Sequence, residues 1–378
     1  MRIDVLARNI LFLVSAMNAG GAERVAANLA NSWAAMGHRV TLLVTYSGRG
    51  DCFYALSDQV KLRYLADEVG SFLWRSRKSY LARFFTLRRI VKQVHPDVVV
   101  SFLTNVNVAA LLATLGMHVS TIVSERTHPP QAPIGRLWSW LRCLVYPFAS
   151  RVIMLTSEGW RWLQREIPRA RGVVMPNPIP YPLPISEPRL APESVLAPER
   201  KMLLAVGRLS EEKGFDFLLS AFAELAHAHL DWDLVILGEG SLRSELERQV
   251  QVLGLTGRVH LPGRAGNMGD WYARADLYVM SSRYEGFPNA LGEAMAYGCA
   301  VVSYDCDTGP RDLIRHGVDG LLVKPVGDVL ALARALGQLM RDDALRTRMA
   351  AKAVEVRARY SMENILAMWE KLFDDVKS

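Results

Sequence analysis

Two glutamates that lie eight residues apart are the strongest candidates for chemistry in this sequence. Glu285 and Glu293 occur in LYVMSSRYEGFPNALGEAMAYGCAVVSY, with Glu285 just after an apolar run and Glu293 beyond Pro288, a residue that suits the start of a helix. Eight residues of helix would separate the two carboxylates by about 12 Å. That spacing is too wide for the carboxylate pair of a retaining or an inverting glycosidase. We therefore expect the two carboxylates to bind different ends of one extended ligand.

A second candidate site is the turn in the segment VGRLSEEKGFDFLLSAF. Arg208 and Lys213 lie five residues apart across this turn, so both could bind one diphosphate, while Gly207 and Gly214 allow the backbone to approach. The alternative is a pair of solvated surface charges. Further along the chain, the backbone amides of residues 286–291 open a helix N-terminus, whose partial positive charge favours a phosphate.

Paired glycines follow two other apolar runs. Gly20 and Gly21 lie in MNAGGAERVAANLA, and Gly238 and Gly240 lie in LGEGSLRSELE. Glycine at a strand-to-helix turn lets backbone N–H groups approach an anion, although the same glycines could serve only to make a tight turn. Neither segment has the full G-x-G-x-x-G pattern of dinucleotide-binding proteins.

Apolar, β-rich runs alternate with helical runs along most of the chain, which is typical of a parallel, doubly wound α/β sheet. The alternation stops at a stretch that holds eight of the 18 prolines, from Pro176 to Pro198, and then restarts. The predicted strands are 10–15, 40–45, 98–102, 121–124, 152–156, 202–206, 234–237, 259–261, 277–281, 300–304 and 320–323.

The alternation predicts two Rossmann-like domains. The first spans residues 1–175, a proline-rich linker spans 176–199, and the second domain spans 200–355. Residues 356–378 form a C-terminal helix with an apolar stripe that needs a partner. Because such sheets bind ligands beyond the carboxyl ends of their strands, we expect a cleft between the domains.

Composition excludes several classes of protein. With 378 residues, 50% of them hydrophobic and 22% charged, the chain is neither disordered nor collagen-like. Its four cysteines show no paired spacing, which favours a reducing compartment and no zinc knuckle. The net charge of +7 divides unevenly, since residues 1–180 hold 22 basic and 10 acidic residues. This basic half is expected to meet an anionic partner, which could be nucleic acid, a phosphorylated ligand or a lipid surface.

One stretch is long enough to cross a membrane. Residues 98–123 contain no Lys, Arg, Asp or Glu. The stretch nevertheless divides into a β-rich run, a helical run and a second β-rich run, and it includes many polar residues. We predict a buried strand–helix–strand unit instead.

Two other features are open to more than one interpretation. Asp305-Cys306-Asp307 has the D-x-D form that can bind a divalent metal through oxygen ligands, but such tripeptides are frequent by chance and we predict no metal site. Arg126 and His128, in SERTHPP, could face the cleft and contact a ligand there, or could be structural residues.

A basic and aromatic segment spans residues 72–93. A helix of this kind can lie in a membrane interface and attract anionic headgroups or a lipid diphosphate; it could also pack on its own domain with a charged solvent face. Trp138, Trp140, Arg136 and Arg142 form a second such segment. The cations assigned to the acceptor or the membrane in the first segment are Arg75, Arg77, Lys78, Arg83, Arg88, Arg89 and Lys92.

The segment EGFPNALGE resembles the E-x7-E signature of family 4 glycosyltransferases. The resemblance extends in the same order to GGAER, MPNPI, GRLSEEKG, LGEG and GCAVVSYDCDTGPRDLI, and so covers nearly the whole chain. It implies a GT-B fold with the C-terminal helix crossing back to the first domain. It also implies a nucleotide-sugar donor held mostly by the second domain, retention of anomeric configuration and no essential metal or other cofactor.

The resemblance also implies residue roles. Arg208 and Lys213 would hold the donor diphosphate, Glu293 the ribose hydroxyls and Glu285 the transferred sugar. Catalytic roles fall to Glu285, Arg208, Lys213 and, in contact with sugar or acceptor, His128. The remaining donor-binding positions are Gly20, Gly21, Gly238, Gly286, Phe287, Pro288, Asn289, Ala290 and Leu291.

Within the family, the pattern is most similar to bacterial enzymes that extend polyprenyl-diphosphate-linked oligosaccharides. We therefore predict a UDP-sugar:lipid-linked saccharide transferase, cytoplasmic and peripheral on the inner face of the cytoplasmic membrane, where it meets an anionic lipid surface. One alternative is a GT-B enzyme that uses a soluble acceptor or epimerises a nucleotide sugar. A second alternative is a non-catalytic nucleic-acid-binding protein.

Overall fold

The structure is a computed structural model in which residues 6–18, 20–46, 52–69, 79–131 and 134–377 are described. The chain divides into two compact units. The first unit consists of Met1–Asn177 together with Glu363–Ser378, and the second is Pro178–Met362. Each unit is built on one parallel sheet, as the alternation of strands and helices predicts.

The first unit holds a seven-stranded sheet in the order β3-β2-β1-β4-β5-β6-β7, and all of its pairings are parallel. Its central strands are covered on both faces, which explains their unbroken apolar sequences. In β1 (Asn9–Val14), the third strand in this order, Phe12 packs on Trp33 of one helix layer, while Leu11 and Leu13 join the core beneath the other layer. The strands are β1 (Asn9–Val14), β2 (Arg39–Val44), β3 (Val60–Tyr64), β4 (Val98–Phe102), β5 (Ser120–Ser124), β6 (Arg151–Met154) and β7 (Gly172–Val174).

Strands β3 and β7 were not predicted from the sequence. Both are edge strands. β3 reads VKLRY, with charged residues that lower its apolar content, and β7 is only three residues long. The helices of this part of the unit are α1 (Gly21–Ala35), α2 (Leu65–Val69), α3 (Ser79–Val94), α4 (Thr104–Thr114), α5 (Arg136–Val145) and α6 (Ser157–Glu166).

The uncharged stretch 98–123 is β4, α4 and most of β5, which confirms the predicted strand–helix–strand unit. None of the helices in the described part of the chain is both long and apolar enough to span a bilayer.

The second unit holds a six-stranded parallel sheet in the order β10-β9-β8-β11-β12-β13. All six strands were predicted from the sequence, with small differences at their ends. They are β8 (Lys201–Val206), β9 (Trp232–Leu237), β10 (Val259–Gly263), β11 (Leu277–Met280), β12 (Val301–Tyr304) and β13 (Leu321–Val323). The helices are α7 (Phe215–Ala226), α8 (Arg243–Val252), α9 (Met268–Arg274), α10 (Asn289–Ala296), α11 (Pro310–Leu313), α12 (Val329–Arg341), α13 (Asp343–Ala353) and α14 (Val356–Arg359).

Most of the proline-rich stretch belongs to the second unit. Leu190 donates its backbone N–H to Asn267 Oδ1 and accepts from Asn267 Nδ2, both at 2.9 Å, and Leu183 N–H donates to the Tyr297 hydroxyl at 2.8 Å. The prolines keep this stretch out of helices and sheets, so side chains of the second unit supply hydrogen-bond partners for its backbone groups.

The last helix, α15 (Met362–Lys377), belongs almost entirely to the first unit, which confirms that the chain crosses back. Its Trp369 packs edge-on against Trp33, with 5.2 Å between the ring centroids. Glu370 accepts a hydrogen bond of 2.8 Å from Arg8 Nη1 and lies 3.0 Å from His38 Nε2. Because the Arg8 backbone N–H donates to His38 Nδ1, Nε2 carries the imidazole proton and donates it to Glu370.

Replacement of Glu370 by Ala would leave the guanidinium of Arg8, which is 4% exposed, without its buried counter-charge. We expect Glu370→Ala to reduce the free energy of unfolding of the first unit by about 3 kcal/mol or more. The measurement is urea unfolding, with hydrogen exchange of the α15 peptides to assign the loss. Lys371→Ala, an exposed neighbour on the same helix, is the control; equal stability of the two variants would contradict the role given to Glu370.

Candidate active site

Loops that follow β8, β9 and β11 meet at the carboxyl edge of the sheet in the second unit. Gly214 has φ +61°, and a β-carbon there would overlap the carbonyl oxygen of Ser281. A β-carbon on Gly238 would likewise overlap the carbonyl oxygen of Gly207. The glycines predicted from the sequence as phosphate-loop residues thus allow backbone to pack on backbone. The loops are further joined by a 2.9 Å hydrogen bond from Ser281 Oγ to the Lys213 carbonyl.

These loops bring Lys213 and Glu285 together. Lys213 Nζ lies 2.7 Å from Glu285 Oε1, and Ser282 Oγ donates to the same oxygen, also at 2.7 Å. The side chains of Lys213 and Glu285 are 23% and 11% exposed, respectively. The pair is therefore partly open to solvent, and an ammonium with three donors can bind a second anion beside the carboxylate.

Arg208 is exposed, and its charge acts on the neighbouring carboxyl of Glu212. Burial alone would raise the pKa of Glu212, but the hydrogen bond from Ser210 and the charges of Lys213 and Arg208 lower it. The turn after β8 thus holds its two cations close to one another and remains accessible.

Glu293 lies inside α10 and is 3% exposed. The Tyr272 hydroxyl donates a 3.1 Å hydrogen bond to Glu293 Oε2. Both candidate carboxylates act on Tyr278, because burial raises the pKa of its phenol and the charges of Glu285 and Glu293 raise it further. The charges of the two glutamates therefore both act on one buried phenol.

The segment between the glutamates enters α10, whose N-cap is Pro288. Phe287, Pro288 and Leu291 are buried, and Phe287 packs against the ring of Tyr360. Because their side chains are buried, the donor contacts predicted at these three positions would involve backbone atoms. Gly286, Asn289 and Ala290 are partly accessible.

Asp305, the first residue of the D-x-D tripeptide, is bound by two cations. Its carboxylate accepts a 2.8 Å hydrogen bond from Arg311 Nε and lies 2.9 Å from Lys324 Nζ. Burial would raise the pKa of Asp305, but these two partners lower it. Across the described residues, no group of three or more His, Cys, Asp or Glu side chains is arranged to hold a metal ion.

In the first unit, Gly20 is the N-cap of α1, and its carbonyl accepts from Tyr54 OH at 3.0 Å and from Arg24 N–H at 3.0 Å. Glu23 places its carboxylate beside Gly20. Gly21 is the first residue of the helix. The helix N-terminus thus already has a carboxylate of its own in the first turn, which complements its positive partial charge.

Arg126 and His128 are both buried in the first unit. Arg126 donates to Asn177 and, at 3.3 Å, to Ser124 Oγ, and its guanidinium lies 3.9 Å from the ring centroid of Phe102. Burial lowers the pKa of Arg126 to about 9. Its contacts hold the end of β5 to residue 177.

Sequence reasoning missed Glu125, which is 1% exposed beside Arg126. Its carboxylate accepts hydrogen bonds from Tyr146 and, at 2.8 Å, from Thr104 Oγ1, and Arg142 Nη1 lies 3.9 Å away. Burial raises the pKa of Glu125, and the charge of Arg142 opposes that rise. Ser282 and Tyr272, the partners of the two candidate glutamates, were missed as well, because no spacing in the sequence links them to those carboxylates.

The predicted acceptor and membrane cations have different environments. Arg88 Nη1 donates to the carbonyls of Ala113 and Leu115 at the end of α4, at 2.7 and 2.9 Å, so Arg88 is structural rather than a free surface charge. Arg89 and Lys92 are exposed, and Arg83 stacks on the rings of Tyr46 and Tyr80. Arg75, Arg77 and Lys78 lie outside the described residues.

Family models match both units. A model of "Glycosyl transferases group 1" matches residues 186–356, and one of a "Glycosyl transferase 4-like domain" matches residues 20–178.

Two bacterial relatives are similar to this chain over nearly its whole length. The GalNAc-α-(1→4)-GalNAc-α-(1→3)-diNAcBac-PP-undecaprenol α-1,4-N-acetyl-D-galactosaminyltransferase of Campylobacter jejuni is 31% identical over 371 residues, which cover 98% of this chain and 99% of the relative. The amylovoran biosynthesis glycosyltransferase AmsD of Erwinia amylovora is 27% identical over 367 residues, 97% of this chain and 99% of the relative.

Solved structures share the fold. The Anabaena protein HepE in complex with UDP and glucose superposes with a TM-score of 0.79 at 20% identity, covering 97% of this chain and 99% of that chain. The fold is that of GT-B glycosyltransferases, as predicted, and the interpretation as a non-catalytic nucleic-acid-binding protein is not retained. This chain belongs to the group 1 and group 4-like glycosyltransferases.

Proposed function

We propose that this protein transfers a hexose or N-acetylhexosamine from a UDP-sugar to a polyprenyl-diphosphate-linked saccharide in bacterial glycan assembly. In this proposal the transfer retains anomeric configuration and needs no metal. The observation that carries the proposal is the contact between Lys213 and Glu285, which presents a cation and a carboxylate on adjoining loops of the second unit. The diphosphate of a nucleotide sugar would bind the cation, Lys213, and its sugar hydroxyls would bind the carboxylate, Glu285.

The choice of acceptor rests on the relatives. The Campylobacter jejuni enzyme, similar to this chain over nearly its whole length, is named for an undecaprenyl-diphosphate-linked saccharide acceptor. An acceptor of that kind is anchored in a membrane. We therefore propose that this chain works as a peripheral protein on the cytoplasmic face of the membrane.

In the proposed reaction, the bond from the anomeric carbon to the diphosphate oxygen breaks, and a bond to the acceptor oxygen forms on the same face of the sugar. Negative charge then grows on the diphosphate. Lys213 and Arg208 would stabilise that charge, and preorganised cations can do so without rearranging solvent. A phosphate oxygen takes the proton of the acceptor hydroxyl, so the step needs no protein general base.

Glu285 and Ser282 would position the transferred sugar. Lys213 can turn its ammonium from Glu285 toward a phosphate without leaving the carboxylate bare, because Ser282 also donates to Glu285 Oε1. Glu293 would bind the ribose hydroxyls. Contact of Arg126 and His128 with the sugar or the acceptor stays a prediction.

Loss of the Lys213 ammonium is the direct test of the donor site. We expect Lys213→Ala to lower kcat by about 100-fold or more, since one preorganised donor to a developing anion is worth that much. The measurement is release of UDP from UDP-N-acetylhexosamines in the presence of a short-chain polyprenyl-diphosphate-linked saccharide.

Lys201→Ala is the matched control, because Lys201 begins the same strand, β8, at the opposite end and pairs with Asp231. The control should keep wild-type activity and an unchanged melting temperature. Near-normal turnover by Lys213→Ala would exclude the proposed role of the β8 turn.

Metal independence has its own test. Asp305 is already bound by Arg311 and Lys324, so an added divalent cation would have to displace both. We expect turnover to survive excess EDTA with less than about a two-fold change, because Lys213 and Arg208 supply the positive charge that a metal would otherwise provide. A strict requirement for Mg²⁺ or Mn²⁺ after EDTA treatment would contradict this part of the proposal.

A further inference from the structure

Three consecutive helices of the first unit, α3, α4 and α5, contain no aspartate or glutamate. Positive charge on them therefore has no acidic neighbour on its own helix. The cations that these helices carry are Arg83, Arg88, Arg89, Lys92, Arg136 and Arg142.

The three helices lie side by side. Ile90 of α3 shares a buried cluster with Val106 of α4, and Leu111 of α4 shares another with Val145 of α5. They form one layer on the sheet, with α4 in the middle. Only part of the layer's charge is available at the surface, because Arg142 is buried on the ring of Trp162 and Arg88 binds carbonyls at the end of α4. Arg89, Lys92 and Arg136 are exposed, and Arg89 also lies 3.5 Å from the carboxylate of Glu68 on α2.

The solvent side of α5 is apolar. Leu137, Trp140 and Leu144 are 64%, 59% and 51% exposed. Their spacing places them in one stripe, about 100° around the helix from Trp138, Leu141 and Val145, which pack inward. A helix that faced only water would carry polar side chains there. Other large apolar side chains on the layer are also exposed, namely Tyr80, Leu81 and Phe85 of α3 and Leu115 after α4.

An exposed apolar stripe can be covered by a second copy of the chain, by another protein or by a bilayer. A second copy would bring the same acid-free layer against itself, and like charges would oppose the contact. An anionic bilayer satisfies both features, because its headgroups pair with the cations and its interface accepts Trp and Leu.

We propose that the layer formed by α3, α4 and α5 is the membrane-binding face of this protein, with Leu137, Trp140 and Leu144 inserted at the interface of an anionic bilayer. The inference deepens the proposed function and rests on it, since a lipid-linked acceptor is what would bring the chain to a membrane.

Vesicle flotation tests the inference. Wild-type protein should bind phosphatidylglycerol-containing vesicles at least about ten-fold more than pure phosphatidylcholine vesicles, and 0.5 M NaCl should remove that preference. The combined variant Leu137→Ser/Trp140→Ser/Leu144→Ser should lose about ten-fold or more of the binding. The control Leu230→Ser/Val252→Ser alters two exposed apolar residues of the second unit and should float like wild type.

Equal flotation of wild type and the triple serine variant would overturn the inference, as would a dimer of the wild type that the variant abolishes. A second variant, Arg89→Gln/Lys92→Gln/Arg136→Gln, should lose the preference for anionic vesicles while keeping its melting temperature. If the wild type does not float with vesicles but UDP still raises its melting temperature, the membrane inference fails and the proposed donor chemistry stands. Failure of both would reject the proposed function itself.

A second observation, in the other unit, concerns Tyr272. Its ring is 1% exposed and lies 5.9 Å from the ring of Tyr297 and 6.1 Å from that of Tyr278, measured between centroids. The backbone carbonyl of Tyr272 also accepts from Cys299 Sγ at 3.1 Å. The hydroxyl that donates to Glu293 is thus held from several sides.

We infer that Tyr272 is a positioning residue that fixes the carboxylate of Glu293 for the ribose hydroxyls of the donor. The inference rests on the proposed function, in which Glu293 binds the ribose. Without this bond, the Glu293 carboxylate would rotate more freely about its terminal torsion. Binding of the donor would then have to restrict that rotation.

The test compares UDP with 2′-deoxy-UDP by calorimetry. We expect wild type to prefer UDP, and Tyr272→Phe to reduce that preference by about ten-fold, as befits a lost hydrogen bond to a charged group. Tyr297→Phe is the control. The Tyr297 ring packs beside that of Tyr272, but its hydroxyl accepts from the Leu183 N–H and does not bind Glu293 in any contact described above. It should keep the wild-type preference.

If wild type and Glu293→Gln both fail to distinguish the two nucleotides, the ribose role of Glu293 is wrong and the proposed function loses its donor assignment. If Glu293→Gln loses the preference and Tyr272→Phe keeps it, only the inference about Tyr272 is overturned.

Discussion

The contact between Lys213 and Glu285 is the constraint on which the architecture of the second unit's loops depends. The two residues are 72 positions apart in the sequence, and their charged atoms lie 2.7 Å apart. Such a contact requires β8 and β11 to be neighbours in the sheet, as they are. It also requires the backbone of the turn to approach that of the β11 loop, which only a residue without a β-carbon permits at Gly214.

The degree of burial distinguishes ion pairs that can exchange a partner for a ligand from ion pairs that stabilise the fold. Lys213 and Glu285 remain partly exposed, and such pairs contribute up to about 1 kcal/mol, so a diphosphate can compete for the ammonium at small cost. In the first unit, the side chains of Arg8 and Glu370 are 4% and 8% exposed, and neither has water as an alternative partner. The first pair can therefore open and close within a catalytic cycle, whereas the second must persist.

The sequence was sufficient to predict the two sheets, because parallel strands buried on both faces leave long apolar runs. It was also sufficient to predict the returning helix and the family. It was insufficient for β3, whose charged edge position hides the strand pattern. The directions of side chains could not be predicted either. Arg88 and Phe287 lie at positions that the sequence motifs predicted, but Arg88 binds helix carbonyls and Phe287 is buried. Partners such as Tyr272, 21 residues from Glu293, are created only by tertiary packing.

The uneven charge of the sequence has a structural counterpart in each unit. In the second unit, the site carboxylates and cations largely neutralise one another, as Asp305 does with Arg311 and Lys324. In the first unit, Glu125 is buried in its own hydrogen-bond network, and α3, α4 and α5 contain no acid, although Arg89 lies 3.5 Å from Glu68 of α2. Balanced charges suit a small ligand that must bind and leave, whereas unbalanced charges on an apolar layer suit an extended anionic surface.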